Sequence, residues 1–302
     1  MSVQLLAVIV LWKCEPKASA SLTTLLAARN VARDCNLKIL LYDNTPGGQA
    51  VERLESGVQY ESAARNAGLA GAYNRALEMA QDEGYSWLLT LDQDTSLPPH
   101  FLQRISELAA ELSSDASIAA IVPQILGDGR MLSPHRFWGG AIPKWFSLGF
   151  VGIPSQATYA LNSASTLRVD ALAEIGGYDS RFPLDCSDTM MFHRLNRSGR
   201  RIFVAGDLHV AHELSLLDMN QRMSLSRYER LLRDECAFWD MEMGPVARFE
   251  RKLRLVWRLF KHWKEGHDPV IREATRKELI RRLVCPRRQR ITEWEREVEM
   301  RS

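Results

Sequence analysis

The sequence predicts an α/β protein with a mostly parallel central sheet and a helical C-terminal region. Two patterns carry this prediction. Across the first hundred residues, short apolar runs typical of buried strands alternate with segments of helical periodicity. Such alternation favours parallel strands joined by crossover helices. Beyond residue 220 the pattern is purely helical. We therefore expect an α/β unit at 1–220 and a helical C-terminal region at 221–302.

Composition narrows the class of protein. The 302 residues are 46% hydrophobic and 25% charged, which is ordinary for a globular protein with a large core. The formal net charge of +2 provides no global basic field, so no nucleic-acid partner is predicted. The five widely spaced cysteines form no Cys-x-x-Cys pair, which argues against a zinc cage or a disulfide framework and favours a reducing cytoplasm. The first apolar run is too short to span a bilayer and is expected to be a core strand.

The first hundred residues supply most of the expected sheet. The expected elements, in chain order, are a strand within 1–12, a helix at 19–32, strands at 37–42 and 58–60, a helix at 70–82, and a strand that begins near 85 and ends at Asp92. Ligands of open α/β sheets bind at the carboxyl ends of the strands. Asp43 follows the second strand, so we expect Asp43 and Asp92 to lie on the same edge.

The next hundred residues continue the alternation less regularly. A helix is expected at 101–112, a strand at 118–123, a long Gly/Pro-rich loop at 127–155, a strand at 159–168, a helix at 169–175, and a strand at 200–205. Gly176-Gly177 is a typical helix stop. A further helix is expected to begin at Asp188 as its N-cap, because an Asp carboxylate accepts hydrogen bonds from free backbone amides. The helix N-terminus is also expected to keep Asp188 ionised.

Asp92 and Asp94 form an Asp-x-Asp pair where the predicted strand ends. Two hard carboxylate oxygens suit Mg²⁺ or Mn²⁺, and such an ion keeps open positions for substrate phosphates. The pair therefore suggests a metal-bridged diphosphate. The alternative is a polar loop that only caps a strand, since Asp-x-Asp alone is a weak motif.

Several short motifs occur together in one order along the chain. They are Asp43-Asn44, Asn66-Ala67-Gly68 with Gly71 and Asn74, Leu91-Asp92-Gln93-Asp94 with Thr95, and Gly176-Gly177-Tyr178-Asp179. In this order, over roughly residues 5–235, the sequence resembles the bacterial family 2 glycosyltransferases with a GT-A fold, and within them the rhamnosyltransferase-like branch.

The resemblance implies roles for the residues of these motifs. Asp43 would hydrogen-bond the base or ribose of a nucleotide, and Asp92 would face the ribose or the water shell of a metal ion. Asp94 would bind a divalent cation, Mg or Mn, in a metal site that His212 completes and Asp92 supports. The remaining nucleotide-binding positions implied by the motifs are Asn44, Asn66, Gly68, Asn74 and Gln93.

The residues that would contact the acceptor of the sugar match the family pattern less closely. Asp188 lies six residues before Arg194 and matches the carboxylate that serves as general base in inverting members. Asp185 matches a second family acid, and it is the alternative base or an acceptor-orienting group. Met190 stands where the family usually has an acid, and Ala164 or its neighbour replaces an expected glycine. These departures put the acceptor and the base assignment in doubt.

The resemblance implies a metal-dependent inverting glycosyltransferase. It would move a sugar from a nucleotide-sugar donor to a glycan or lipid-linked acceptor in bacterial surface-polysaccharide assembly. Among the donors, dTDP-rhamnose is favoured by resemblance only. One alternative is a haloacid-dehalogenase-like phosphatase, because Asp92 and Asp94 mimic the strand-end Asp-x-Asp of that family. Against it, Thr95 stands where that family has a mobile glycine. Another is a sugar-nucleotide-binding protein that has lost catalysis, which Met190 makes conceivable.

The C-terminal region contains an amphipathic segment with basic residues. Apolar residues at 249, 253, 256, 260 and 263 share one helical face, and Arg and Lys lie between them. The helix either packs on the catalytic domain or lies on an anionic lipid surface. Residues 276–302 are expected to form a solvated helix or a homo-oligomer contact. The predicted location is therefore cytoplasmic, with peripheral attachment at the inner face of the cell membrane if the basic helix meets lipid.

Overall fold

The computed structural model describes residues 2–32, 35–51, 53–127, 129–139, 142–212 and 223–300. Contacts between residues divide the chain into two compact units. The first comprises Met1–Arg136 and Trp145–Glu213, and the second comprises Phe137–Lys144 and Leu214–Ser302.

One large sheet forms the centre of the first unit. Among the described residues it contains ten strands, in the order β10-β12-β6-β11-β4-β1-β2-β3, with β5 paired to β12 and β7 paired to β6. A separate hairpin pairs β8 with β9. The strands are β1 (Val3–Leu11), β2 (Cys35–Asp43), β3 (Val58–Ser62), β4 (Trp87–Asp92), β5 (Thr95–Ser96), β6 (Ile118–Gly127), β7 (Arg130–Ser133), β8 (His135–Trp138), β9 (Ile142–Trp145), β10 (Val151–Gly152), β11 (Ser165–Arg168) and β12 (Arg201–His212).

The sheet is mixed. Its strands β3, β2, β1 and β4 pair in parallel, as the alternating pattern predicts, and β6 pairs in parallel with β12, whereas the other described pairings are antiparallel. β1 lies between β2 and β4 and is parallel to both. β11 runs antiparallel between β4 and β6. Leu11 pairs with Asp43, and Val10 pairs with Asp92. The two acids therefore lie at the same edge of the sheet, on the strands that flank β1, as expected.

Helices cover the central strands. They are α1 (Ala20–Arg29), α2 (Gly68–Asp82), α3 (Phe101–Glu111), α4 (Val169–Glu174) and α5 (Ser187–Arg197). β1 is buried along its whole length from Leu5 to Leu11, which explains its continuous apolar run. Alternate side chains of β1 pack with α1 and α3 in one hydrophobic core, and α2 also contacts β1. This packing positions the carboxyl edge of the sheet.

Three sequence predictions about strands are wrong. The segment 127–155 is not one long loop, because it contains β7, β8, β9 and β10. Its strands are two to four residues long, too short to show a period among the Gly and Pro residues. The strand expected at 159–168 shrinks to β11, because Ala164 has a left-handed φ of +61° just before it. β12 runs past the expected end at residue 205, and a Cβ on Gly206 would collide with the backbone of Phe150.

The described C-terminal part of the second unit is helical, as predicted. Its helices are α6 (Leu225–Glu242), α7 (Pro245–Lys264), α8 (Pro269–Val284) and α9 (Arg287–Glu299). Its small hydrophobic core includes Leu232, Leu255 and Ile271. Buried ion pairs add to this core: Arg282 and Arg290 both donate to the carboxylate of Asp240, at 2.7 and 2.8 Å. Within the part of the chain that the structure describes, no helix has both the length and the apolar character needed to cross a bilayer.

Candidate functional site

The turn that carries the Asp-x-Asp pair is held from two sides. The Ser21 hydroxyl, on α1, accepts a hydrogen bond from the Thr95 amide at 3.0 Å and donates to the backbone oxygen of Asp92. The Gln93 side-chain oxygen accepts from the amide of Trp12, which follows β1, at 2.8 Å. The backbone of the turn is therefore fixed by the sheet and by the helix that follows β1. Gln93 contributes to this fixation, whereas its implied contact with a nucleotide stays a prediction.

The two acids of the pair differ in environment. The carboxylate of Asp92 accepts hydrogen bonds from the Tyr73 hydroxyl, at 3.2 Å, and from the Ser163 hydroxyl. Asp94 is exposed to solvent. Asp92 is thus an oriented, partly buried anion, and Asp94 is the acid that faces water. An external ligand meets Asp94 first.

The strand that follows the Asp-x-Asp pair and the strand that carries His212 are neighbours in the sheet. Across β5 and β12 the backbone of His212 pairs with Thr95, the residue after Asp94, so the strand expected to supply the histidine ligand ends beside the pair. The side chain of His212 lies outside the described residues. Among the described residues, no group of three His, Cys, Asp or Glu side chains forms a complete metal cage. The oxygen donors of the pair fit the chemistry of Mg²⁺ or Mn²⁺, and the metal site remains a proposal.

Asp43 is fully buried at the end of β2. Its carboxylate accepts hydrogen bonds from the Tyr60 hydroxyl at 2.6 Å, from the Gln49 amide at 2.9 Å and from the Thr45 backbone amide at 2.9 Å. Burial alone would raise the pKa of Asp43, but the hydrogen bonds from Thr45, Tyr60 and Gln49 outweigh it and lower the pKa. Asp43 is therefore an ionised anchor for the loop that follows β2.

Asn44 and Gly68 bring two segments together. The Asn44 amide group accepts from the Ala67 backbone at 3.1 Å and donates to the Gly68 carbonyl at 3.0 Å. Gly68 has a φ of +68°, and a Cβ there would collide with the carbonyl of Pro183. Only glycine allows this approach. The edge beside Asp43 is thereby joined to the backbone just before Asp185.

Asn66 and Asn74 also bind backbone groups. The exposed Asn66 accepts from the Gly68 amide at 2.9 Å, at the start of α2. Asn74 forms two hydrogen bonds with the backbone of Tyr178, one donated at 2.9 Å and one accepted at 2.7 Å. This pair holds the Gly-Gly-Tyr-Asp turn against α2. In the structure the motif asparagines therefore organise the scaffold, and their contacts with a nucleotide stay predictions.

The N-cap prediction for Asp188 is wrong. α5 begins at Ser187, and its N-cap is Cys186, which adopts a left-handed φ of +60°. This turn of the backbone starts the helix one residue before Asp188. Asp188 nevertheless accepts a hydrogen bond from a first-turn amide, that of Thr189, at 2.6 Å. The carboxylate therefore lies at the helix N-terminus without being its cap.

Asp188 lies among other carboxylates. Burial, together with the negative charges of Asp92 and Asp185, raises its pKa to about 6 against the lowering effect of the Thr189 hydrogen bonds. With this pKa Asp188 is still mostly ionised at neutral pH, as expected for a carboxylate at a helix N-terminus, although burial holds the pKa above its ordinary value. Asp185 is itself buried. The structure brings the end of β4 and the start of α5 within electrostatic reach of each other.

A buried polar chain beside these acids was not predicted. The Tyr178 hydroxyl donates to the Asn162 side chain at 2.9 Å, and Asn162 donates to the Ser187 hydroxyl at 3.0 Å. The rings of Tyr73 and Tyr178 lie 5.0 Å apart. Tyr73 directly precedes the motif residue Asn74, and Tyr178 belongs to the Gly-Gly-Tyr-Asp motif. These positions are the one sequence signal that could have singled out the two tyrosines. Met190, in contrast, is fully buried and belongs to the hydrophobic core.

A protein-family model matches the sequence. The family model described as Glycosyl transferase family 2 matches residues 7–176, which is more than half of the chain. No protein with a curated description matches the sequence.

Solved structures give matches at the level of the fold. TarS of S. aureus superposes with a TM-score of 0.53 at 12% identity, covering 86% of this chain and 44% of that one. GalNAc-T7 with UDP, GalNAc and Mn²⁺ has a TM-score of 0.52 at 15% identity, covering 80% of this chain and 49% of that one. TarS 1–349 in complex with UDP-GlcNAc has a TM-score of 0.50 at 14% identity, covering 87% of this chain and 73% of that one.

The chain spans less than half the length of the first two of these structures. At such identities the likeness concerns the fold alone. It confirms the predicted GT-A type of α/β fold.

Proposed function

The chain belongs to glycosyl transferase family 2, and from this premise we propose that it transfers a sugar from a nucleotide-sugar donor to a hydroxyl group of an acceptor. The observation that carries the proposal is the arrangement of acids at one edge of the sheet. An exposed Asp94 and an oriented Asp92 lie on one side, and Asp188, whose pKa is raised to about 6, lies within reach of the Asp92 charge. Activation of the donor requires acids that can hold a cation, as Asp94 and Asp92 would do. Deprotonation of the acceptor requires a carboxylate that can take a proton, as Asp188 would do.

On the donor side, we assign the nucleotide to the edge between Asp43 and Asp92. The exposed Asp94 and His212 would hold Mg²⁺ or Mn²⁺, with Asp92 as the supporting acid. When bound, such an ion neutralises charge on a diphosphate leaving group. The presence of UDP and Mn²⁺ in the GalNAc-T7 structure, and of UDP-GlcNAc in the TarS 1–349 complex, supports a nucleotide-sugar donor.

On the acceptor side, we assign the general base to Asp188. With a pKa of about 6 it is mostly ionised at neutral pH and still basic enough to take a proton from an attacking hydroxyl. Attack from the side opposite the leaving group inverts the configuration at the anomeric carbon. Asp185, three residues earlier and buried, is the group proposed to orient the acceptor or to replace Asp188 as base.

The finer identity of the substrates rests on sequence resemblance. A deoxyhexose donor, dTDP-rhamnose before others, is supported by two motifs: Leu91-Asp92-Gln93-Asp94 with Thr95, and the Gly-Gly-Tyr-Asp turn. The corresponding acceptor is a glycan or lipid-linked saccharide of a bacterial surface polysaccharide.

The experiment that tests the function is a donor screen by thermal shift and by donor hydrolysis. The purified chain is mixed with UDP-sugars and dTDP-sugars in the presence of Mg²⁺ or Mn²⁺. A nucleotide-sugar that raises the melting temperature and is hydrolysed slowly, or transferred to an added saccharide, supports the proposal.

Two other results contradict it. Release of phosphate from simple monoesters, with a phosphoryl group trapped on Asp92, would identify a phosphatase. Donor binding with no turnover on any acceptor would identify a sugar-nucleotide-binding protein instead.

A further inference from the structure

One face of α7 is apolar and exposed to solvent. Seven large side chains along this helix are each between 47% and 67% exposed. Their spacing places them within about one third of the helix circumference. They are Val246, Phe249, Leu253, Val256, Trp257, Phe260 and Trp263, which we call the α7 apolar face.

The opposite side of α7 packs inside the second unit. Leu255 belongs to its hydrophobic core. Arg251 is 2% exposed and donates to the carboxylate of Glu235 on α6, and Arg258 donates to the same carboxylate at 3.0 Å. Arg251 and Arg258, two of the basic residues that lie between the apolar residues in the sequence, therefore face inward.

This ion cluster fixes the rotation of α7. Burial alone would raise the pKa of Glu235, but Arg251 and Arg258 lower it to about 2. Turning the helix to bury its apolar face would take both guanidinium groups away from Glu235 and leave a buried charge without a partner, which is strongly unfavourable. The outward position of the apolar face is thus set by the charges beneath it.

Lysines border the apolar face. At 100° per residue, Lys252 lies on one side of it and Lys261 on the other, and Lys264 lies at its C-terminal end. Lys261 and Lys264 are exposed, and Lys261 lies 3.8 Å from Glu265.

The end of β8 lies beside α7. A Cβ on Gly139 would come within 2.6 Å of the Glu250 carboxylate of α7. Trp138, next to Gly139, is 64% exposed. A further indole is thereby presented beside the helix.

We propose that the α7 apolar face is a docking surface for an anionic phospholipid membrane, with α7 lying in the plane of the interface. Indoles between an apolar strip and lysine side chains match the layered chemistry of a lipid headgroup region. A second copy of this chain fits less well, because two-fold pairing of the same face would bring like-charged lysine borders together. Anionic headgroups attract the same lysines.

The proposal does not depend on the transfer reaction, so its test is separate. The full chain is floated with vesicles of phosphatidylcholine, with or without about 30% phosphatidylglycerol. The variant Trp257→Ala/Phe260→Ala/Trp263→Ala removes exposed side chains only, so we expect an unchanged fold and a partition constant lower by at least about 30-fold. The matched control Val31→Ala/Leu148→Ala removes exposed apolar side chains of the first unit and should float like the wild type.

The lysine border has its own variant. Lys252→Gln/Lys261→Gln/Lys264→Gln should lower binding to anionic vesicles by about fivefold for each charge, and should leave binding to pure phosphatidylcholine nearly unchanged. Equal flotation of the wild type and the aromatic variant would overturn the proposal. So would a dimer of the wild type in lipid-free light scattering that the aromatic variant converts to a monomer, since the face would then be an interface between copies.

Discussion

The guanidinium of Arg194 donates a hydrogen bond to the carboxylate of Asp179 at 2.6 Å. Asp179 also accepts from Arg181, at 2.7 Å. Burial alone would raise the pKa of Asp179, but Arg181 and then Arg194 lower it. The contact fastens the last turns of α5 to the turn after α4. The Arg194 cation is thereby paired with Asp179, while Asp188, at the start of the same helix, lies near Asp92 and Asp185. This separation of charges motivates the predictions on Asp188.

The first prediction concerns the general base. Asp188→Asn should lower kcat by about 10² to 10⁴ while leaving donor affinity nearly unchanged, because it removes the proton acceptor and not the nucleotide site. Turnover and donor binding are measured side by side for Asp188→Asn and Asp185→Asn. Full turnover of the first variant together with loss in the second would move the base to Asp185.

The second prediction concerns pH dependence. Since the base must be ionised, kcat/KM should fall as the pH drops through about 6, the pKa of Asp188. The residual activity of Asp188→Asn should lack this step. The pH profiles of both proteins, recorded at saturating metal ion, test this, and an acidic limb retained in the variant would assign the titration to another group.

The third prediction concerns stability. The pKa of Asp188 is raised from 3.8 in the unfolded chain to about 6 in the folded one, so its protonated form favours folding and this stabilisation is lost as the pH rises through 6. Asp188→Asn should therefore unfold with a free energy about 3 kcal/mol higher than the wild type at pH 8. This difference in the free energy of unfolding should shrink to about half at pH 5. Urea titrations at both pH values measure it, and a variant that is less stable at pH 8 would contradict it.

The fourth prediction concerns the metal ion. Asp94→Asn should abolish metal-dependent binding of the nucleotide-sugar and leave the fold intact, because Asp94 is an exposed acid at a strand end. Calorimetric titration with Mn²⁺ in the presence of nucleotide provides the readout. Asp82→Asn, an exposed acid at the end of α2, is the control. Unchanged cation dependence in Asp94→Asn would show that the ion binds elsewhere.

The fifth prediction concerns the partner of Asp92. Tyr73 is fully buried, and its hydroxyl donates to Asp92 at 3.2 Å. Tyr73→Phe keeps the ring and removes the donor, so we expect a loss of about 1–2 kcal/mol in the free energy of unfolding. Because Asp92 is then less well oriented, we also expect a measurable loss of kcat. Tyr85→Phe, a half-buried tyrosine before β4, is the control for removal of a hydroxyl. Equal effects in the two variants would argue against an orienting role for Tyr73.

Local pattern predicts a good part of this molecule. The continuous apolar run of β1 and the acids after β2 and β4 are enough to place Asp43 and Asp92 on one edge, because parallel strands end together. The family's glycine near residue 164 also has a physical meaning here. Ala164 occupies a left-handed conformation that glycine adopts without strain.

Other features depend on partners far away in the sequence. The pKa of Asp188 is set by burial and by Asp92, which lies on another strand. The outward apolar face of α7 follows from Glu235 on α6, which binds Arg251 and Arg258. Helical periodicity alone assigns apolar residues to the inside, and no pattern within α7 shows that a buried carboxylate reverses this choice.

The close approach of Gly68 to the carbonyl of Pro183 has one more consequence. The separation between the donor edge and the segment that carries Asp185 is set by backbone against backbone, with no side chain as a spacer. Under the proposed function, we therefore expect substitutions on the surrounding surface to change which saccharide is admitted without altering the distance across which the reacting groups meet.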